Sequence, residues 1–295
     1  NVCDISETAY NSNRGWPAAL AFYLNRLIFA GGAGVPQSLF FSAIDGYYDF
    51  LPGTNASDPM NFNIDSGKSD VIQNLVSDRS LQIFTKSGES AAPIWGEQGL
   101  TPTTVLVRRQ TSNGSNLTAP VTLDNSTFYV KRGGRAILGF TYGQGTDTYD
   151  SKDASVMSAH LIKNPVDMTA YTINDAYDSS VLILINDDGS KVFFETLAEQ
   201  NVAAWCDTST YTGDKWLNAC AIEDRVFFIC ERNSKIVLEE LDWSFVMDSA
   251  ITYTATSTGD ATITLPDHFD GRNASVVTDV VDPLGINQPT QGSFV

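Results

Sequence analysis

Three groups of carboxylates stand close enough in the sequence to suggest hydrolytic or metal chemistry: Asp187-Asp188, Glu239-Glu240, and Asp147 with Asp150 and Asp153. A glycosidase needs two carboxylates facing each other across a cleft. Adjacency does not supply that, because neighbouring side chains leave a strand on opposite faces. Asp187-Asp188-Gly189 reads as a turn, and only one of Glu239 and Glu240 could enter any one site. The stretch "DTYDSKD" (147–153) is rich in oxygen and could bind Ca²⁺, but it lacks the EF-hand spacing. His160, in "SAHLI", could act as a general base, yet no Ser or Cys elbow accompanies it, and a satisfied helix histidine is the simpler reading. Ser42 and Ser90 lack a nucleophile-elbow context, and no Walker-type phosphate loop is present. The residues therefore point to no enzyme activity and require no cofactor.

The four cysteines, Cys3, Cys206, Cys220 and Cys230, form no C-x-x-C pair. Cys220 and Cys230 sit in the apolar runs "NACAI" and "VFFICER" and read as buried thiols. A Cys206–Cys220 disulfide is the alternative. With His160 and His268 as the sole histidines, a His-rich metal site is not expected. The net charge of −17, from 35 acidic and 18 basic residues, argues against a protein built to neutralise nucleic-acid phosphates. A surface that DNA passes without sticking stays compatible with it. Apolar runs are too short for a membrane helix, so no membrane insertion is expected. The chain lacks an initiator Met and ends within a strand-like pattern, which reads as a processed or partial chain.

The elements that must position these residues are strands. Aromatics make up 11% of the chain, and Thr, Val and Ile are plentiful. The opening stretch "AFYLNRLIFAGG" (21–32) pairs two apolar runs around Asn25-Arg26, and the pattern recurs. Turns are expected at Asp78-Arg79, Asp124-Asn125, Asp187-Asp188-Gly189, Asp224-Arg225 and Asn233-Ser234. The repeats begin near residues 20, 71, 121, 180 and 219, at intervals close to one propeller blade. One hairpin cannot cover both faces of such apolar strands. The leading expectation is thus an all-β chain: a β-propeller built from repeated hairpins over 1–242, with a small additional C-terminal β element over 243–295. A β-sandwich with two Greek keys competes with it. A helix is expected within 151–164, with Asp153 as N-cap, and "AAWC" (203–206) reads as irregular.

Several segments carry a family resemblance. The run 15–50, "GWPAALAFYLNRLIFAGGAGVPQSLFFSAIDGYYDF", has a Gly-x-Pro start, an "RLIFAG" core, "PQ", and an ending with Ser42, Gly46 and Phe50. "IQNLVSDRSLQIFTKSGE", "LTPTTVLVRRQTSNGS", "DASVMSAHLI" with Asp153 and His160, "EQNVAAWC" with Glu199, Gln200 and Trp205, "VFFICERN" with "IVLEELD", and "DHFDGRNASVVTD" follow in order. Together they resemble the tail nozzle proteins (tail tubular protein B) of T7-like short-tailed bacteriophages, whose known members are usually longer. The resemblance implies a structural subunit of the virion tail, built on a propeller and assembled as a homohexameric ring. Its implied partners are other copies of itself, adaptor and portal proteins, tail fibre proteins, and genomic DNA passing without sequence-specific binding. The rival reading is a receptor- or glycan-binding, possibly carbohydrate-active, propeller. In "DGYYDFLPG" (45–53), Tyr47, Tyr48 and Phe50 are the candidate subunit-interface residues.

Overall fold

The computed structural model describes residues 9–64, 70–92, 100–143, 145–172, 180–197, 202–223, 225–242, 265, 267, 274–281 and 287–294. Strands follow one another as antiparallel meanders. The first sheet holds β1 (Ala19–Tyr23), β2 (Arg26–Ala30), β3 (Ser38–Phe41) and β4 (Met60–Asn63) in that order. The second holds β5 (Ile72–Ser77), β6 (Leu81–Thr85), β7 (Glu89–Ala92) and β8 (Arg108–Thr111), and the third β9 (Val121–Leu123), β10 (Ser126–Val130), β11 (Ile137–Gly143) and β12 (Thr148–Asp153). The fourth contains β13 (Pro165–Thr172), β14 (Ser180–Asn186), β15 (Lys191–Leu197) and β16 (Val202–Thr208), and the fifth β17 (Lys215–Ile222), β18 (Arg225–Arg232) and β19 (Lys235–Glu240). A separate hairpin pairs β20 (Ala274–Val281) with β21 (Asn287–Phe294). Every sheet joins strands in chain order, which excludes the Greek-key sandwich for the described strands.

Period-two alternation divides each central strand between two cores. On β14, Leu182 and Leu184 face the third sheet, packing with Phe128, Val130 and Ile137. Val181, Ile183 and Ile185 face the fifth sheet and meet Trp216, Val226 and Phe228. Likewise Leu81 and Ile83 of β6 join the core with the first sheet, while Phe84 packs with Tyr129 and Phe140 of the third. Four cores thus join five sheets in sequence.

The sheets are also laced together at one end. Each turn between a second and third strand accepts or shares a backbone bond with the linker entering the next sheet. The pairs are Ile72 N–H to Pro36 at 2.9 Å, Ser115 N–H to Thr85 at 2.9 Å, Asn164 N–H to Gly134 at 2.7 Å and Trp216 N–H to Gly189 at 3.0 Å. Gly189 sits at φ +83°, and a Cβ there would lie 2.6 Å from Lys215, so glycine is what lets turn and linker meet.

The turns carry the expected chemistry with some shifts. Leu24 and Asn25, both at positive φ (47° and 56°), form the first hairpin turn, so Arg26 opens β2 and lies outside the turn. The cause is visible in its side chain, which is fully buried. Its guanidinium donates to the carbonyls of Ser42 (2.5 Å), Asp58 (2.8 Å) and Ala56 (2.7 Å). It pins the whole β3–β4 connection, and burial lowers its pKa. In the fifth sheet Arg225 belongs to β18, and Asp224 lies outside the described residues.

Three other expectations are corrected. The fourth sheet starts at Pro165, ahead of the strong hairpin near 180, because β13 alternates too weakly to stand out. "AAWC" lies inside β16, where Trp205 packs on Phe194 and donates its indole N–H to Ala154 at 2.8 Å. Between the third and fourth sheets there is a 3₁₀ segment, Val156–Leu161, in place of an α-helix. Val156 and Met157 stay exposed there, so no apolar face is available to extend it, and Ser155 takes the cap position. The Asp153 carboxylate accepts the Ser155 N–H at 2.8 Å. Most of the expected C-terminal element, including 243–264, lies outside the described residues.

Among the described residues Cys206, Cys220 and Cys230 are free. Cys230 is buried as expected, whereas Cys220 lies on the open side of β17, and Cys3 falls outside the described residues. Burial pushes the Cys230 thiol up to about 12, reinforced by Glu239. Since the folded thiol holds its proton where an unfolded one ionises, Cys230 favours folding below pH 9 and this contribution is lost as pH rises from there toward 12.

Two outcomes follow from this packing. Alkylation of native protein at pH 8, mapped by peptide mass, should label Cys220 and leave Cys230 unmodified until denaturant is added; equal labelling would contradict the packing. Arg26→Met takes the donor from one buried and two half-buried carbonyls and should lower stability by about 3 kcal/mol. Denaturant unfolding reads this, with faster proteolysis between residues 43 and 59, and an unchanged midpoint would remove the clamp.

Candidate assembly surface

The connection fixed by Arg26 carries the aromatic residues singled out from sequence. Tyr47 meets Phe22 edge-on at 5.4 Å, and Phe50 stacks on Phe29 at 5.3 Å. Tyr10 adds edge contacts to Phe29 at 6.4 Å and Phe40 at 5.4 Å. Leu20 pairs with Phe29 and Phe29 with Phe40 across β1, β2 and β3, so all of these rings lie on the face of the first sheet turned away from the second. The structure brings Tyr47 and Phe50 onto this face. Tyr48 does not join them: its ring is 99% exposed, as are large parts of Phe22, Leu20 and Leu51. An exposed apolar group of this extent on one sheet is unusual for a surface that meets only water.

The fifth sheet has a matching feature. Ile229 lies opposite Leu238, and Glu231 opposite Ile236, on the side away from the fourth sheet. Ile222, Ile229, Ile236 and Leu238 are exposed. Arg225 and Glu240 pair at its edge, at 2.6 Å from Arg225 Nε. Here the near-continuous apolar run of β18 does not signal two covered faces, because Val226, Phe228 and Cys230 alone point into the core. The reading from sequence missed Leu20, Phe22 and Tyr10 on the first sheet and this whole face on the fifth. The signal was present in the two apolar sets of β1 and β18, but sequence does not tell which set lacks a neighbour.

The carboxylates have structural work. Asp188 caps the Asp187–Ser190 turn, accepting the Ser190 N–H at 3.0 Å, and pairs with Lys163 at 2.8 Å. Glu239 and Glu240 point to opposite faces: Glu239 holds the buried Arg232 at 2.7 Å and Glu240 holds Arg225. Arg232 also reaches Asp214 at 3.5 Å, and the aromatic box beside it places the Lys191 ammonium 4.2 Å from both the Trp216 and Phe228 rings. Asp147 accepts the Tyr142 hydroxyl, Asp150 the Ser151 N–H and Asp153 the Ser155 N–H. Among the described residues no three His, Cys, Asp or Glu side chains converge as a metal site would need. Ser42 is buried, accepts the Leu27 N–H at 2.9 Å and donates to Ala43, which is a turn role.

One polar feature escaped the sequence reading. The β10–β11 turn, "KRGGR", places Lys131, Arg132 and Arg135 around an open hollow completed by Asn113, Gly133 and Ala136.

The comparisons follow this geometry. Two solved structures are similar at low identity: the extracellular domain of the one-component system BT4673 from B. thetaiotaomicron (11% identity, TM-score 0.34, covering 83% of this chain and 37% of that one), and a luciferin-regenerating enzyme (9% identity, TM-score 0.28, covering 73% of this chain and 83% of that one). The chain therefore spans well under half the length of the first of these. No curated protein matches the sequence. The bacteriophage nozzle protein family matches residues 18–276, a span that takes in all five meander sheets and both exposed faces. The chain is a member of the bacteriophage nozzle protein family, a structural component of the phage tail.

Proposed function

We propose that the five sheets are successive blades of a β-propeller and that the chain is a subunit of a homohexameric tail nozzle through which genomic DNA leaves the virion. The observation that carries the propeller reading is the pattern of sheet-to-sheet contact. The leading strands β1 and β5, β9 and β13, and β13 and β17 lie next to one another, and each sheet packs face to face on the one before. Meanders stacked this way, with first strands adjacent at three junctions and the last strands β8 and β12 adjacent between the second and third sheets, match blades around an axis. Family membership supports the nozzle role; on this reading the adaptor and portal proteins and the tail fibre proteins are its partners.

On this reading the outer face of the first sheet, with Tyr47, Tyr48 and Phe50, is a contact between subunits. A largely aromatic, partly preformed surface of this kind loses little side-chain freedom on docking. The outer face of the fifth sheet lies where a further blade would stack. The net charge of −17 suits a passage that repels phosphate and lets DNA slide.

The rival reading, glycan recognition, draws on one observation: Tyr48 is fully exposed and is followed by Asp49, as in a ring-stacking platform for a sugar. Oligomeric state separates the two. A six-fold ring by native mass measurement supports the nozzle; a monomer or trimer with glycan affinity supports the rival.

Tyr47→Ser with Tyr48→Ser should leave the unfolding midpoint near that of the parent chain and weaken ring assembly at least tenfold in concentration. A ring of unchanged mass at the same dilution would remove the subunit contact. Duplex DNA should bind the assembled ring no tighter than about a tenth of a millimolar at physiological salt, the weak end of non-specific affinity. Micromolar, strongly salt-dependent binding would count against the sliding passage.

A further inference from the structure

The hollow at the β10–β11 turn is chemically out of character with the rest of the surface. Acidic residues outnumber basic ones 35 to 18 in the chain, yet Lys131, Arg132 and Arg135 fall within five residues and all three line one concavity. All three are exposed, and neither an ion pair nor a side-chain hydrogen bond holds any of them among the described residues. Elsewhere Lys163 pairs with Asp188, Arg225 pairs with Glu240, and Arg109 donates to the Ser87 and Thr111 carbonyls, while the exposed Lys86, Lys152 and Lys215 lie far apart in the sequence.

The turn is held in shape without using these side chains. The Lys131 N–H bonds Ala136 at 2.9 Å, Gly134 N–H bonds Lys131 at 2.7 Å, Arg132 N–H bonds Gly114 at 2.9 Å and Asn164 N–H bonds Gly134 at 2.7 Å. Gly134 is at φ +69°, with Asn164 Oδ1 only 2.5 Å from where a Cβ would sit. Gly133 has nothing within 4 Å of that position, so a ligand can approach its backbone closely. On one wall the Asn113 N–H is turned inward to the buried Glu89 carboxylate at 3.3 Å, which anchors that wall from behind.

We propose that this hollow is a binding site for a phosphate group. Two guanidinium forks and an ammonium on a fixed turn, beside open glycine backbone, are the groups that recognise a tetrahedral oxyanion. The overall −17 does not prevent this. At physiological salt charges are screened over about 8 Å, so the hollow responds to its own three cations. A carboxylate offers two oxygens in one plane and less charge, and fits such a set less well. The phosphate could be free or part of a nucleic-acid backbone. A single weak phosphate contact of the second kind is compatible with sliding, and the site itself does not depend on ring formation.

The test uses the full chain and amide resonances of Gly133 and Gly134. Inorganic phosphate at constant ionic strength should shift them saturably, with a dissociation constant of about a millimolar. Acetate under the same conditions should produce no saturable shift. A combined Lys131→Ala, Arg132→Ala, Arg135→Ala variant should bind at least tenfold more weakly. Arg132→Gln with Arg135→Gln, which keeps side-chain length in case the first variant is perturbed, should do the same. Equal curves for acetate and phosphate, or binding by either folded variant within twofold of the parent, would overturn the site. A ten-nucleotide DNA without terminal phosphate that shifts the same amides identifies a phosphodiester as the ligand, and a response to inorganic phosphate alone identifies the free or terminal group. No response to both overturns the proposal.

Discussion

Leu182 and Leu184 on one side of β14, and Val181, Ile183 and Ile185 on the other, leave neither face of that strand fit for water. Each such side chain gains about 2 kcal/mol by leaving water, so a sheet built on the strand requires a neighbour on both sides. The same holds for β6 and β10. This one constraint produces the serial architecture, because a meander of short strands cannot fold over to cover itself and adjacent meanders are the nearest available cover. It also explains the exposed faces of the first and fifth sheets. They are the same kind of face as the internal ones, with no sixth partner among the described residues.

The two buried arginines follow a second rule: each stands where hydrogen bonds are supplied to its guanidinium. Arg26 spends its guanidinium on three backbone carbonyls, and Arg232 on Glu239 and Asp214. Both fasten irregular chain to a sheet: Arg26 the long β3–β4 connection, Arg232 the linker before β17 through Asp214, which also accepts the Asn233 N–H at 3.1 Å. An Arg at the start of one strand and another at the end of a later one thus solve the same problem, satisfying polar backbone or carboxylate beneath the surface.

Much of the fold was legible because hairpin signals are local. Asp124-Asn125 and Asn233-Ser234 turn where expected, with Asp124, Asn233 and Ser234 at positive φ. β13 was missed because Pro165–Thr172 mixes polar and apolar residues, and only its pairing with β14 makes it a strand. The "AAWC" segment was missed for a related reason: two alanines and a Trp have no strong preference until Phe194 supplies a surface. Tyr47 and Phe50 were visible as aromatics, but their support by Phe22 and Phe29 depends on sheet register. The cations of the β10–β11 turn were in plain view. What sequence could not show is that the three share a hollow.

The lacing of each turn to the following linker gives the chain a direction. The second sheet's turn is bonded only once Ser115 arrives, the third's once Asn164 arrives, and the fourth's once Trp216 arrives. Every one of these partners lies a few dozen residues downstream, so on a translating ribosome each sheet can be sealed soon after it emerges, without waiting for the C-terminus. Pulled from its C-terminal side, the same chain would come apart in the reverse order. Of the five meander sheets, the fifth would be stripped first and the fourth uncapped next, while the first sheets remained closed until those above them had gone.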